Sequence, residues 1–341
     1  MFLLCSGCAI GDKRMPVAWM PRELDRLKGA ANRLDEAAVV KQCNDTREVG
    51  SVTKTEKIER GDALDLSGSV IFEGDALTVL RRLPARSVQT VVTSPPYWGL
   101  RDYCVPDQLG LEGTLSQYIN SLRGIFSEVR RVLKDDGVFW LNIGDGYTSG
   151  NRRWRAPDKK NRARAMSVRP GTPDGLKPKD LLGVPWRLAL ALQDDGWYLR
   201  ADVIWNKPNA MPESVKDRPT RSHEYVFMLT KEEKYYYNRD AVLEVNDLGR
   251  RNLRSVWNVQ TQASIGAHFA TFPPALIEPC ILSASRPGDF VLDPFFGSGT
   301  AGLVARRLGR KYVGIEIHPD YVALAARRLE ADDRTIVRIA A

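Results

Sequence analysis

The chain has 341 residues, of which 43% are hydrophobic and 27% charged, the composition of an ordinary globular protein of about two domains; wholesale disorder is excluded. No run approaches the roughly 18 apolar residues of a membrane span. Five scattered cysteines (Cys5, Cys8, Cys43, Cys104, Cys280) make no disulfide framework, so a cytoplasmic setting is expected, and the net charge of +8 suits an anionic partner.

The first 66 residues carry little pattern. Residues 21–40 have helical spacing (Leu24, Leu27, Ala31, Leu34, Ala38), and a polar stretch follows to about Asp65. Cys5, Cys8 and Cys43 number three where a structural zinc takes four ligands, so no metal is expected. From residue 69 the text changes. Val70-Ile71-Phe72 reads as a buried strand ending in Glu73-Gly74-Asp75, residues 76–83 as a helix, and 88–93 as a strand running into Ser94-Pro95-Pro96-Tyr97-Trp98. A helix over 116–133 and a strand over 137–143 follow. The stretch 147–179 is basic and proline-bearing and interrupts this rhythm as a surface insertion.

Residues 181–193 then read as helix and 198–205 as extended. Residues 222–230 with 235–237 suggest a hairpin, in which His223 and Glu224 are structural, and 240–266 are polar and irregular. A helix over 274–285, a strand over 290–292, a glycine turn at Gly297, a helix over 301–308, a strand over 312–315 and a helix over 321–329 complete the chain. Apolar strands alternating with helices predict an α/β fold with a mainly parallel central sheet covered on both faces.

Within the insertion, eight cations (Arg152, Arg153, Arg155, Lys159, Lys160, Arg162, Arg164, Arg169) accompany one anion, Asp158. Lys and Arg laid on phosphates release condensed counterions, so this stretch suits a nucleic acid. A solvated basic loop is the plain alternative.

Two short motifs carry chemistry. Asp293-Pro294-Phe295-Phe296-Gly297-Ser298-Gly299-Thr300 ends a strand and opens a helix. Gly297, Gly299 and Gly302 satisfy G-x-G-x-x-G, and Glu316 closes the next strand, the layout in which a carboxylate takes ribose hydroxyls. Asp293 would repel a pyrophosphate, yet it suits a nucleoside with an ammonium and sulfonium tail; S-adenosylmethionine is such a ligand. In the second motif, two prolines remove backbone donors and leave carbonyls that only accept. The Ser94 hydroxyl and a proline carbonyl then form an acceptor pair for an exocyclic amine, and Tyr97 offers a base a flat face. A turn that merely packs its helix and a proline turn with aromatic plugs are the respective alternatives.

Ser-Pro-Pro-Tyr first and Asp-Pro-Phe-Phe-Gly-Ser-Gly-Thr about 200 residues later resemble, in kind and order, the amino-methylating DNA methyltransferases of the permuted β arrangement, which modify cytosine N4 or adenine N6. The likeness spans 69–329 and includes Ile71-Phe72-Glu73-Gly74-Asp75, Trp205-Asn206-Lys207-Pro208, Arg221-Ser222-His223-Glu224-Tyr225, Tyr235-Tyr236-Tyr237-Asn238 and His268-Phe269-Ala270-Thr271-Phe272-Pro273.

The resemblance implies an S-adenosylmethionine-dependent methyltransferase (Rossmann-like) fold. Within the likeness the chain divides into a catalytic half (67–146, resuming with the hairpin at 180–240), a target-recognition segment (241–266) and a cofactor-binding half (267–341); the N-terminal extension (1–66) and the basic insertion (147–179) lie outside it. Ser94, Pro95, Pro96 and Tyr97 are then catalytic. Asp293, Phe295 and the turn Gly297, Ser298, Gly299, Thr300 take the methionine part of the cofactor, Glu316 its ribose and Asp75 its adenine. The charge of the basic insertion, itself outside the likeness, makes Arg152, Arg153, Arg155, Lys159, Lys160, Arg162 and Arg164 the candidate contacts to the double-stranded DNA that the resemblance implies. A homodimer and a separately acting cognate restriction endonuclease are the further candidate partners, and serine at the first motif position favours cytosine N4 over adenine N6.

Three rival readings follow from the residues. Pro279-Cys280 has the look of a cytosine C5 nucleophile, although a small buried residue suits its apolar surroundings. The glycine fingerprint alone would fit an NAD-dependent oxidoreductase, and the basic insertion alone a catalytically inactive DNA binder. The methyltransferase reading requires Ser94 and the turn at Gly297 to open onto one pocket.

Overall fold

The computed structural model of the chain describes residues 54–57, 64, 66–148, 170–246, 249–262 and 272–339. The helix expected over 21–40, the cysteines Cys5, Cys8 and Cys43, and the cations of the basic insertion from Arg152 to Arg169 lie outside the described residues. The described residues fall within one compact unit, 51–341.

A nine-stranded sheet organises that unit. Its strands in chain order are β1 (Lys54–Lys57), β2 (Val70–Glu73), β3 (Val88–Thr93), β4 (Leu133–Ile143), β5 (Tyr198–Asn206), β6 (His223–Thr230), β9 (Val256–Asn258), β10 (Phe290–Asp293) and β11 (Lys311–Glu316). In space they run β1-β2-β11-β10-β3-β4-β6-β5-β9, and β6 alone runs against its neighbours. The short pair β7 (Glu244–Asn246) and β8 (Gly249–Arg251) stands apart as its own antiparallel ribbon.

All six residues of β3 are buried, as a parallel strand covered on both faces demands. One face is covered by α1 (Ala76–Leu80), α2 (Leu115–Val132) and α3 (Val184–Asp194), the other by α4 (Pro274–Ala284), α5 (Thr300–Arg307) and the start of α6 (Pro319–Ile339). α2 is the best specified of these. Thr114 and Gln117 close a capping box at its start, and Tyr118, Leu122, Phe126 and Val129 recur along its buried stripe. Among the described residues no helix is long and apolar enough to cross a membrane.

Three expectations are corrected. β6 pairs with β5 and β4, and 235–237 forms no strand beside it, because both edges of β6 are already occupied. The Tyr236 amide donates instead to the Asp136 carbonyl, and the Asn238 amide to Ser283. The segment 240–266 is not wholly irregular, since it holds the β7–β8 ribbon and the edge strand β9. Lys54–Lys57, expected to belong to a patternless extension, adds a parallel edge strand to β2. Such edge pairing is held by backbone bonds and leaves little trace in side-chain pattern.

Phe296, directly after the strand–turn junction, is wedged between α5 and β11. A Cβ added at Gly302 would meet its Cζ at 2.6 Å, and one added at Gly314 would fall on the ring. Gly302 thus serves the close helix–strand packing that the third fingerprint glycine usually provides. Gly314→Ala is expected to lower unfolding stability by about 1–3 kcal/mol through overpacking, read as a shift of the urea midpoint at unchanged slope.

Candidate active site

The carboxyl ends of β3 and β10 lie side by side, because these strands are parallel neighbours at the middle of the sheet. Open α/β sheets bind ligands beyond such strand ends. Here the two motifs are joined directly: Thr93 Oγ1, the last residue of β3, donates to Asp293 Oδ1, the last of β10, at 2.5 Å. One cavity opens above the junction, walled by Ser94, Pro95, Pro96 and Tyr97 from the first motif and by Asp293, Phe295, Gly297 and Thr300 from the second. Asp75 and Glu316, also expected, line it too.

Each carboxylate is held by its own loop. Asp293 is 2% exposed and also accepts from the Phe295 amide at 3.0 Å; burial raises its pKa from the ordinary 3.8 to about 7. A carboxylate so poor in solvation favours a cationic group beside it. Glu316 accepts from Gly297 N at 2.7 Å and His318 N at 2.8 Å, one bond to each oxygen, and burial raises its pKa too. A carboxylate has about four lone-pair sites, so Glu316 retains acceptor capacity for hydroxyls. Asp75 caps α1, accepting from Thr78 N and Thr78 Oγ1, both on Oδ1. This set of acceptors therefore fits a nucleoside with a cationic tail.

Ser298 and Gly299 take no part in the cavity wall. Ser298 Oγ accepts from Arg328 at 3.1 Å, and Gly299 caps α5 with φ +78°, its Cα facing Ala325 of α6. These two residues hold the turn against α6; Gly297 faces the cavity, and Thr300 does both, lining the cavity while its Oγ1 accepts from Arg328 at 2.9 Å.

The first motif is clamped from beneath. Tyr118 on α2 donates to the Pro96 carbonyl at 2.7 Å, and the Tyr97 hydroxyl donates to Glu224 Oε2 on β6 at 2.8 Å. Asn142 on β4 donates to the same Oε2 at 3.2 Å, and Lys207, just after β5, pairs with Oε1. The sequence marks Glu224 as merely structural; the fold places it against the first motif. Its chain distance from Ser94 hides this, since antiparallel pairing of β6 with both β4 and β5 brings the group together.

The loop between β3 and α2 also contributes residues that no motif marks. Arg101, 8% exposed, and Tyr103 and Gln108 line the cavity, and so do His318 and Tyr321 at the head of α6. Tyr321 stacks on His318 at 4.3 Å and meets Tyr103 edge-on at 6.2 Å. A non-periodic loop gives pattern analysis nothing to register.

Cys280 lies inside α4 and outside the cavity wall. Its thiol donates to the Leu276 carbonyl, and burial pushes it far above the ordinary thiol range. A reactive cysteine needs a lowered pKa and access, so the nucleophile reading fails.

Comparison with known proteins bears on this arrangement. A family model described as DNA methylase matches residues 88–327. The Type II methyltransferase M.Cfr9I of Citrobacter freundii is 64% identical over 297 residues, covering 87% of this chain and 99% of that protein. M.SmaI, a Type II methyltransferase of Serratia marcescens, is 56% identical and covers 78% and 92% respectively. Among solved structures, the cytosine-N4-specific PvuII DNA methyltransferase superposes with a TM-score of 0.58 at 25% identity, over 76% of this chain and 86% of that one. A putative DNA modification methylase of Thermus thermophilus in complex with S-adenosyl-L-methionine gives 0.52 at 26% identity, over 76% and 92%.

Proposed function

This chain belongs to the DNA methylase family, and from that premise we propose that it methylates the N4 amine of a flipped-out cytosine in duplex DNA. It is an S-adenosylmethionine-dependent DNA methyltransferase of the restriction–modification type. The observation that carries the reading is the Thr93–Asp293 hydrogen bond, which sets the acceptor motif and the cofactor loop on one cavity. An oxidoreductase would have no use for Ser94 to Tyr97 in that wall.

S-adenosylmethionine, when bound, supplies a methyl group on a cationic sulfur. The chain's residues do the rest. Asp293, Gly297 and Thr300 would hold the methionine part, Glu316 would take the ribose hydroxyls and Asp75 would border the adenine, with Ser298 and Gly299 keeping the turn in place. A base amine is a poor nucleophile because its lone pair is delocalised into the ring. Ser94 Oγ and the Pro95 carbonyl accept its two N–H bonds, draw the nitrogen toward tetrahedral geometry and free the lone pair. Catalysis is then positioning and electrostatics. The amine is out of reach inside the stack, so the nucleotide leaves it and Tyr97 supports the base.

Serine at the first motif position and the likeness to a cytosine-N4-specific enzyme support N4 over adenine N6. Digesting enzyme-treated DNA to nucleosides and weighing them tests the choice. N4-methyldeoxycytidine is the expected product; N6-methyldeoxyadenosine would assign the other amine, and an unmodified digest would refute methyl transfer.

The insertion cations and the segment 241–266, with Arg250, Arg251 and Arg254, are assigned to DNA contact. Neutralising Arg152, Arg153, Lys159 and Lys160 together should flatten the dependence of log K on log salt by as much as about 3.6. An unchanged slope removes the insertion from the interface. A cognate endonuclease acting as a separate protein in the same cytoplasm completes the proposed setting, and sedimentation tests the expected homodimer.

A further inference from the structure

We propose that Glu224 is a positioning residue for catalysis: through Tyr97 it orients the Ser94 hydroxyl so that Ser94 presents only lone pairs to the substrate amine. The inference rests on the amine-methylation reading above and names how a neutral serine meets its demand. A serine hydroxyl left to rotate can donate as readily as accept. The amine needs an acceptor.

The geometry supplies the direction. Glu224, at 17% side-chain exposure, accepts from Tyr97 Oη at 2.8 Å, from Asn142 Nδ2 at 3.2 Å and from Lys207. The phenol has one proton, and a carboxylate is the stronger claimant for it. Burial, and then the facing Glu224 charge, push the Tyr97 pKa well above its ordinary value, so that proton stays on the phenol. The Tyr97 oxygen then has only lone pairs to offer, and Ser94 Oγ donates to it across 3.4 Å. With its proton so used, Ser94 faces the cavity as an acceptor. At 3.4 Å this leg is longer than a full O–H···O bond, and catalytic hydrogen bonds often tighten only when substrate is present.

Three features show that the chain is built to hold this line. Gly144, after β4, makes room for it: a Cβ there would meet Tyr97 Cε2 at 2.7 Å and Glu224 Cδ at 3.2 Å. Lys207 is itself aimed, its Nζ resting 4.1 Å from the centre of the Trp205 ring. Asn142 is further fixed by the Tyr225 carbonyl at 3.1 Å.

The test measures single-turnover methyl transfer from labelled cofactor to duplex DNA with the full chain. Tyr97→Phe keeps the stacking ring and cuts the line; Glu224→Gln keeps the shape and removes the charge. Each should slow transfer by about tenfold or more, with S-adenosylhomocysteine affinity and DNA KM unchanged. Because Glu224 acts through Ser94, Glu224→Gln should cost nothing further in a Ser94→Ala background. Full multiplication of the two losses, or a Tyr97→Phe enzyme within twofold of wild type, overturns the line of action. Should Glu224→Gln lose its cooperative melt, Tyr97→Phe decides alone. A wild-type chain that binds S-adenosylhomocysteine but methylates no base amine overturns the underlying reading, and this inference with it.

Discussion

Ser94→Ala should reduce the single-turnover rate of methyl transfer by about two to three orders of magnitude, the usual cost of removing one pre-organised hydrogen-bonding group from a developing charge. The substitution takes one of two acceptors from the amine and leaves the Pro95 carbonyl in place. Cofactor affinity should hardly move, because Ser94 lies at the end of β3 while the groups assigned to the cofactor belong to β10, β11 and the loop after β2. Calorimetry with S-adenosylhomocysteine beside quenched-flow transfer separates the two quantities. A variant turning over within threefold of wild type would remove Ser94 from the chemistry.

Asp293→Asn should weaken S-adenosylhomocysteine binding by about 10- to 100-fold, the value of a charge-assisted hydrogen bond to a buried partner. The pH dependence gives the sharper test. Burial raises the folded pKa of Asp293 from 3.8 to about 7. Between those values the folded chain retains a proton that the unfolded chain has lost. Cofactor-free stability contributed by this group therefore falls as pH rises through that window and is lowest above about 7. Ligand affinity runs the other way, because the cationic tail needs the ionised carboxylate. Wild-type affinity should drop as pH is lowered from about 7.5 to about 6, approaching tenfold per unit below the pKa. Asp293→Asn should abolish both slopes. A wild-type affinity flat across that range would show that Asp293 does not meet the tail's charge.

How much of this is legible in the residues differs from place to place. Ser94 to Tyr97 and Asp293 to Thr300 announce themselves because each stands at the end of a short strand rich in valine or leucine, and parallel strands deliver their following loops to one end of a sheet. Glu316 is found by the same rule, as the end of the next strand. Glycine spacing is less discriminating. It groups Gly297, Ser298, Gly299 and Thr300 as one ligand-binding turn, whereas the fold divides them: Gly297 lines the cavity, Ser298 and Gly299 pack on α6, and Thr300 does both. Which way a loop residue faces depends on the helix packed behind it, and that helix begins some 20 residues later.

The group Glu224, Lys207 and Asn142 marks the boundary most clearly. Asn142 lies in a strand and the other two in family-like blocks, yet nothing local in His223-Glu224 or Asn206-Lys207 says that they meet Tyr97. Hydrophobic period and glycine position are local quantities, so they settle the α/β class, the central strands and the two motifs. Hydrogen bonds between charged groups far apart in the chain depend on strand order and register, and a one-residue slip of β6 would turn Glu224 to the opposite face of the sheet. Strand order therefore decides which carboxylate stands behind the catalytic tyrosine, because that order follows from packing the whole sheet between its two helical layers.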